Sequence, residues 1–105
     1  MRRGEVWWAD LPAPAGRRPV VLLSRNEAYA VRALVTIAPA TTRIRQIPTE
    51  VFLDEQDGLP KRCAVNLDTI TTIPRESLAT RITTLTHERV AAVERALRFA
   101  LSLSE

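Results

Sequence analysis

Residues 3 to 25 read RGEVWWADLPAPAGRRPVVLLSR. Two strand-like apolar runs, Glu5 to Leu11 and Pro19 to Ser24, flank a short turn-forming loop. That loop ends in Arg17 and Arg18 immediately before Pro19. The proline fixes its own φ and biases Arg18 toward an extended backbone, so the guanidinium projects from a stiff strand start rather than from a loose loop. Such a mount suits an arginine that grips a phosphate.

Further along, short β-branched runs bounded by Pro, Gly, Asn and Asp recur at Ala33–Ala38, Thr49–Leu53, Ala64–Leu67 and Thr69–Ile73, with a weaker one at Arg81–Leu85. Asn26 to Arg32 is expected to form a helical turn, and Pro74 to begin another before Leu78. Asp54–Arg62 reads as a polar hairpin loop with Asp57-Gly58 as its turn. From Thr86 the period changes. With Thr86 as N-cap and Glu88 in the first turn, apolar residues fall at Val90, Val93, Leu97 and Leu101, beside Ala96 and Ala100. This is one amphipathic helix, and strands followed by a closing helix predict a barrel-like, mostly antiparallel α+β domain.

The chain has 105 residues, enough for one domain spanning 1–105 with a single modest core. No apolar run approaches the roughly 20 residues of a membrane span, and Met1-Arg2-Arg3 is not followed by the apolar stretch of a signal peptide. A cytoplasmic location with no membrane partner is expected. One cysteine, Cys63, and one histidine, His87, exclude an internal disulfide, the usual zinc clusters and a histidine-pair nuclease. Neither a metal nor a cofactor is expected. Net charge is +3, unevenly placed: residues 1–53 carry eight arginines against four acids, while 54–105 carry seven bases against eight acids. Arginine outnumbers lysine fourteen to one. Arginine is the better bidentate phosphate ligand, although a GC-rich coding sequence produces the same bias.

The residues that could carry chemistry are Arg17 and Arg18, the Thr41-Thr42-Arg43 cluster after the third strand, and Arg45 in the basic loop that follows. Hydroxyls and guanidiniums at strand ends suit a polyanion. The bland reading is that the arginines are solvated loop charges and the threonines merely end a strand. Arg81 reads either as a peripheral phosphate contact or as a solvated strand-end charge. Trp7 and Trp8, adjacent on a strand, should face opposite sides, one in the core and one exposed. The exposed ring could stack on an unpaired base or seal a protein interface, and Tyr29 and Phe52 are assigned to core or interface.

Taken in order, Arg3-Gly4-Glu5-Val6-Trp7-Trp8-Ala9-Asp10-Leu11, Arg18-Pro19-Val20-Val21-Leu22-Leu23-Ser24, Pro39-Ala40-Thr41-Thr42, Pro48-Thr49-Glu50-Val51 and Asn66-Leu67-Asp68-x-Ile70 resemble the PemK/MazF toxins over nearly the whole chain. The resemblance implies a small SH3-like barrel. It also implies a metal-independent endoribonuclease of a toxin–antitoxin pair, cutting single-stranded RNA through the ribose 2′-hydroxyl to leave a 2′,3′-cyclic phosphate and a 5′-hydroxyl. By position Arg18 and Thr41 become the catalytic pair, with Thr42 as the register alternative, and Arg17, Thr42, Arg43, Arg45 and Arg81 as substrate contacts. Implied partners are a second copy of the chain and an antitoxin whose acidic disordered segment fills the groove.

One departure stands out. Many relatives carry Gly-Ser-Glu-Gln between the first two strands, whereas Pro12-Ala13-Pro14-Ala15-Gly16 is shorter and lacks the glutamate. Glu27 and Asp68 are the candidates to replace it, and His87 is expected to be a surface residue at the helix start. The shortened loop also leaves open a catalytically silent RNA- or peptide-binding barrel. A CcdB-type gyrase poison fits less well, because its tryptophan-bearing tail is replaced here by Leu101-Ser102-Leu103-Ser104-Glu105.

Overall fold

Among the described residues, seven strands and two helices form largely where branched runs and the amphipathic stripe place them. In order they are β1 (Glu5–Asp10), β2 (Arg17–Leu22), α1 (Ala28–Val31), β3 (Leu34–Thr41), β4 (Glu50–Leu53), β5 (Cys63–Asn66), β6 (Thr71–Pro74), β7 (Leu78–Thr84) and α2 (His87–Ala100). The computed structural model describes residues Met1 to Ser104. The sheet order is β4-β5-β3-β2-β1-β7, with β6 added beside β3, and the recorded pairings are antiparallel.

Strand β3 serves two partners. Its first half, Leu34 to Ile37, pairs with β6, whereas Ala40 and Thr41 pair with β5. This divergence splays the sheet and curls it into a half-barrel closed by α2. Pairing extends β3 to Thr41, beyond the expected Ala38, and begins β2 at Arg17, because Asp10 and Ala9 of β1 lie opposite Arg17 and Arg18. Likewise β7 starts at Leu78 rather than Arg81, drawn into order along β1.

The period of two sorts side chains onto two cores. Val21, Ala38, Ala40, Val65 and Leu53 face one side, where Val93 and Ala96 of α2 cover them. Val20, Leu22, Val35, Ile37 and Ile73 face the other, with Tyr29 of α1 packed on them. Each buried aliphatic side chain there contributes about 1.5–3 kcal/mol. The helix keeps Thr86 as its N-cap, whose hydroxyl accepts the Arg89 N–H at 3.2 Å. It stops one residue short of Leu101, which is 49% exposed rather than part of the buried stripe.

Trp7 and Trp8 do not divide into one buried and one exposed ring. Register shifts against β7 fall between Val6 and Trp7 and between Trp8 and Ala9, and bulges at both places break the strict alternation. Both rings are half-buried. The Trp7 indole packs on the second core and donates to Glu5 Oε1 at 2.9 Å, giving that buried carboxylate a partner. Phe52 is 39% exposed on β4, because Val51 and Leu53 take the inward positions, and Arg62 lies over its ring.

The Asp54–Arg62 segment is not a two-residue hairpin. Glu55–Asp57 form a 3-10 turn in which the Asp54 and Asp57 side chains cap each other's backbone. Gly58 ends the turn at φ 97°, and a Cβ there would come within 2.5 Å of the Thr83 hydroxyl oxygen. Glycine is thus required for this turn to fold against β7. The second expected helix start is also a single 3-10 turn, Arg75–Ser77.

Burial pushes the Tyr29 phenol up to about 12 from 10.0. Between these values the folded chain keeps a proton that the unfolded chain releases, so the contribution is complete below pH 10 and falls as pH rises. Denaturant melts from pH 9 to 12 should show stability falling by up to about 1.4 kcal/mol per pH unit from this group. Tyr29→Phe should flatten that decline; an unchanged slope would refute the assignment.

Candidate active site

Arg18 is half-buried where β2 begins. Its Nε and Nη2 donate to the Ala15 carbonyl at 3.1 and 2.9 Å, and its Nη1 donates to the Ala40 carbonyl at 3.4 Å. The guanidinium is therefore strung between the proline loop and the end of β3. Of the five N–H donors an arginine carries, these contacts use three and leave two for a ligand. Continuing the β2–β3 register two residues past Val20↔Pro39 places Arg18 across from Thr41. The Thr41 hydroxyl accepts the Arg43 N–H at 3.1 Å, which starts the turn after β3 and leaves its own proton free to donate.

Arg18 and Thr41 stand between two clefts and line both. The larger, about 290 Å³, extends past Trp8, Arg17, Thr42 and Lys61. The smaller, about 190 Å³, extends past Arg43, Arg45, Glu50 and Asn66. Among the described residues, five cationic side chains, Arg17, Arg18, Arg43, Arg45 and Lys61, thus line these two adjoining clefts against one carboxylate, Glu50. Such a lining attracts an extended polyanion. Arg17 also stacks over the Trp8 ring at 5.8 Å and pairs with Asp10 at 3.0 Å, an exposed contact that fixes its direction more than it stabilises the fold.

The structure therefore brings together Arg17, Arg18, Thr41, Thr42, Arg43 and Arg45, as the sequence led us to expect. It leaves Arg81 outside both clefts. That residue lies across from Trp7, with Nη1 3.8 Å from the buried Glu5 carboxylate. Glu27 and Asp68 line neither cleft, since Glu27 precedes α1 on another face and Asp68 follows β5 in an exposed turn. His87 is an exposed first residue of α2, beside Arg2 and Arg25. Sequence reading missed Lys61, Glu50 and Asn66 as site residues, because long-range strand pairing brings them in. Pro48-Thr49-Glu50-Val51 and Asn66-Leu67-Asp68-x-Ile70 within the motif series were the available signals for Glu50 and Asn66, and Lys61 had none.

Among the described residues no three His, Cys, Asp or Glu side chains are grouped so as to hold a metal ion. No helix among them is long and apolar enough to cross a membrane.

A family model described as "PemK-like, MazF-like toxin of type II toxin-antitoxin system" matches residues 2–101. The chain belongs to this toxin family. Probable endoribonuclease MazF5 of Mycobacterium tuberculosis (strain ATCC 25618 / H37Rv) is 42% identical over 103 residues, covering 97% of this chain and 94% of that relative. Endoribonuclease MazF9 of the same strain is 31% identical over 115 residues, covering 98% of each. Among solved structures, Mycobacterium tuberculosis toxin MazF-mt6 superposes with a TM-score of 0.88 at 32% identity, over 96% of this chain and 99% of that one. A mycobacterial endoribonuclease in complex with its cognate antitoxin gives 0.87 at 30% identity, over 100% and 98%.

Cys63 borders the larger cleft of this PemK/MazF-like chain but is 5% exposed. Burial, followed by the Asp57 and Asp54 carboxylates, pushes its thiol pKa up. A protonated, buried thiol is a poor nucleophile. Alkylation by iodoacetamide at pH 8 should be at least about tenfold slower in the native protein than in urea. Equal rates in the two conditions would place Cys63 in reach of the cleft's chemistry.

Proposed function

We propose that this chain is the toxin of a toxin–antitoxin pair and an endoribonuclease that cuts single-stranded RNA without a metal, with Arg18 and Thr41 acting at the scissile phosphate. The observation that carries this reading is the tethered Arg18 guanidinium, with two N–H donors left over beside the Thr41 hydroxyl in a cation-lined cleft.

The chemistry follows from what those groups can do. Attack of the ribose 2′-oxygen forms a new bond to phosphorus while the bond to the 5′-oxygen breaks. The 2′-hydroxyl proton is released and the departing 5′-oxygen gains one, leaving a 2′,3′-cyclic phosphate and a 5′-hydroxyl. In the transition state negative charge builds on the non-bridging oxygens. Preorganised donors stabilise that charge most when they need no rearrangement, and three fixed contacts hold the Arg18 guanidinium in place. A guanidinium stays protonated, so Arg18 serves as an electrostatic clamp rather than a base. Thr41 orients the phosphate by donating from its hydroxyl, and Arg17, Thr42, Arg43 and Arg45 track the flanking backbone in the clefts.

A single strand suits such a site, because its bases can splay against side chains while its 2′-hydroxyl supplies the nucleophile. The same cationic path fits an acidic disordered segment of an antitoxin, which would displace RNA by occupying it. A second copy of the chain across a two-fold axis would lengthen this short groove.

The test is cleavage in excess chelator. Purified protein should cut single-stranded RNA to cyclic-phosphate ends and spare any site with a 2′-deoxy nucleotide before the scissile phosphate. Arg18→Ala should lower kcat by roughly a hundred- to a thousandfold with the melting temperature retained. Cleavage that requires Mg²⁺, or full activity in that variant, would overturn the mechanism. Tight, salt-dependent RNA binding with no cut would favour a silent binding barrel instead.

A further inference from the structure

Glu50 is the carboxylate of the smaller cleft, and half of its hydrogen-bonding capacity is unused. Oε1 accepts the backbone N–H groups of Arg45 at 2.9 Å and Gln46 at 3.0 Å, which pins a turn where Gln46 adopts φ 58°. Oε2 is buried and has no partner among the described residues. A buried acceptor left without a donor carries its whole desolvation cost, so a ligand that parts the side chains over it and brings an N–H there is favoured. The phosphate backbone cannot be that ligand, because it offers no donor and repels a carboxylate.

Directly across the β4–β5 ladder, Asn66 pairs with Glu50 and lines the same cleft. Its Oδ1 accepts the Asp68 N–H at 2.8 Å, which leaves its amide NH₂ as a donor. An acceptor and a donor therefore stand side by side, next to the residues that border the phosphate site. A space of about 190 Å³ is below the roughly 300 Å³ of the smallest drug-sized pockets and suits one planar ring.

Resting on the RNA-cleaving reading, we propose that Glu50, with Asn66 beside it, is the specificity-determining residue for the nucleobase next to the scissile phosphate. Oε2 accepts from the exocyclic amino group of adenine or cytosine, while the Asn66 amide donates to the neighbouring ring nitrogen. Guanine and uracil turn a carbonyl toward Oε2 in that orientation and leave it unpaired.

Glu50→Gln separates this role from its alternatives. The amide oxygen must stay on the Arg45 and Gln46 N–H groups, so its NH₂ takes the place of Oε2 and converts the acceptor to a donor. Wild type and variant are each given a randomised single-stranded RNA pool, and the cut ends are sequenced, with melting temperatures compared. Wild type should favour adenine or cytosine at one position flanking the cut by about tenfold, the discrimination of a paired contact to a base edge. The variant, melting at the same temperature, should shift that position toward guanine or uracil. An unchanged preference would reduce Glu50 to a loop staple, and a uniform slowing at every sequence would make it a base or a scaffold; either overturns the proposal. Absence of cutting by wild type would sink the nuclease reading alone. Selective retention of a 2′-deoxy pool, read for the same amino-to-keto shift, then tests Glu50 by binding.

Discussion

Between Val20 and Leu23 the chain has no side that meets water, and every later element answers to that fact. Val21 and Leu23 point into the core under α2, while Val20 and Leu22 point into the core that holds Tyr29. A strand buried on both faces must also have both backbone edges paired, so β1 and β3 flank it without choice. Polar side chains are then expelled to its ends. Arg18 stands at the near end because two residues further on there is no room for a charge. The proline loop that returns from β1 brings the Ala15 carbonyl to it, and the end of β3 brings Ala40. The site is a consequence of how the core is closed.

The parts of this arrangement legible in the sequence are those whose cause is local. Arg18 before Pro19, the two runs around the proline loop and the α2 stripe with its Thr86 cap all follow from neighbours a few residues apart. What escaped depends on partners far along the chain. The branching of β3 between β5 and β6 cannot be inferred from Leu34–Thr41, since nothing in that run says where its second edge changes hands. The two tryptophans failed an alternation rule that is sound for a regular strand, because β1 is bulged against β7 on either side of them. Arg81 has the same sequence character as Arg17, but its pairing on β7 sets it across from Trp7 beside the buried Glu5 carboxylate, a placement fixed by long-range register.

Electrostatics alone would make this cleft indiscriminate. On the proposed reading, contacts from Arg17, Arg18, Arg43, Arg45 and Lys61 to phosphates would carry affinity that is the same for every sequence and fades as salt rises. An acidic peptide would satisfy them as well as RNA would. Choice among sequences requires groups that a phosphate cannot satisfy, and in a path lined by cations these are acceptors. Glu50 is conspicuous for this reason: a carboxylate among guanidiniums weakens general anion binding, and while one of its oxygens already holds the Arg45–Gln46 turn, the other is left without a donor.

The backbone makes that place a firm one. Glu50 sits in β4 with Val51 and Leu53 anchored in the core, and it holds the turn that carries Arg45 through two N–H groups. Its remaining oxygen is thereby fixed relative to Asn66 by a strand pair and relative to Arg43 and Arg45 by the turn. Geometry set by strands holds a pair of donors and acceptors more tightly than a loop would. The same ladder runs on through β5 to Thr41, which pairs with Ala64, so the group proposed to orient phosphate and those proposed to face the base share one rigid sheet. A register slip of one residue in β4 or β5 would turn Glu50 and Asn66 away together. On that reading, selectivity and cleavage geometry are bound to one set of backbone hydrogen bonds, and neither could drift without disturbing the core beneath it.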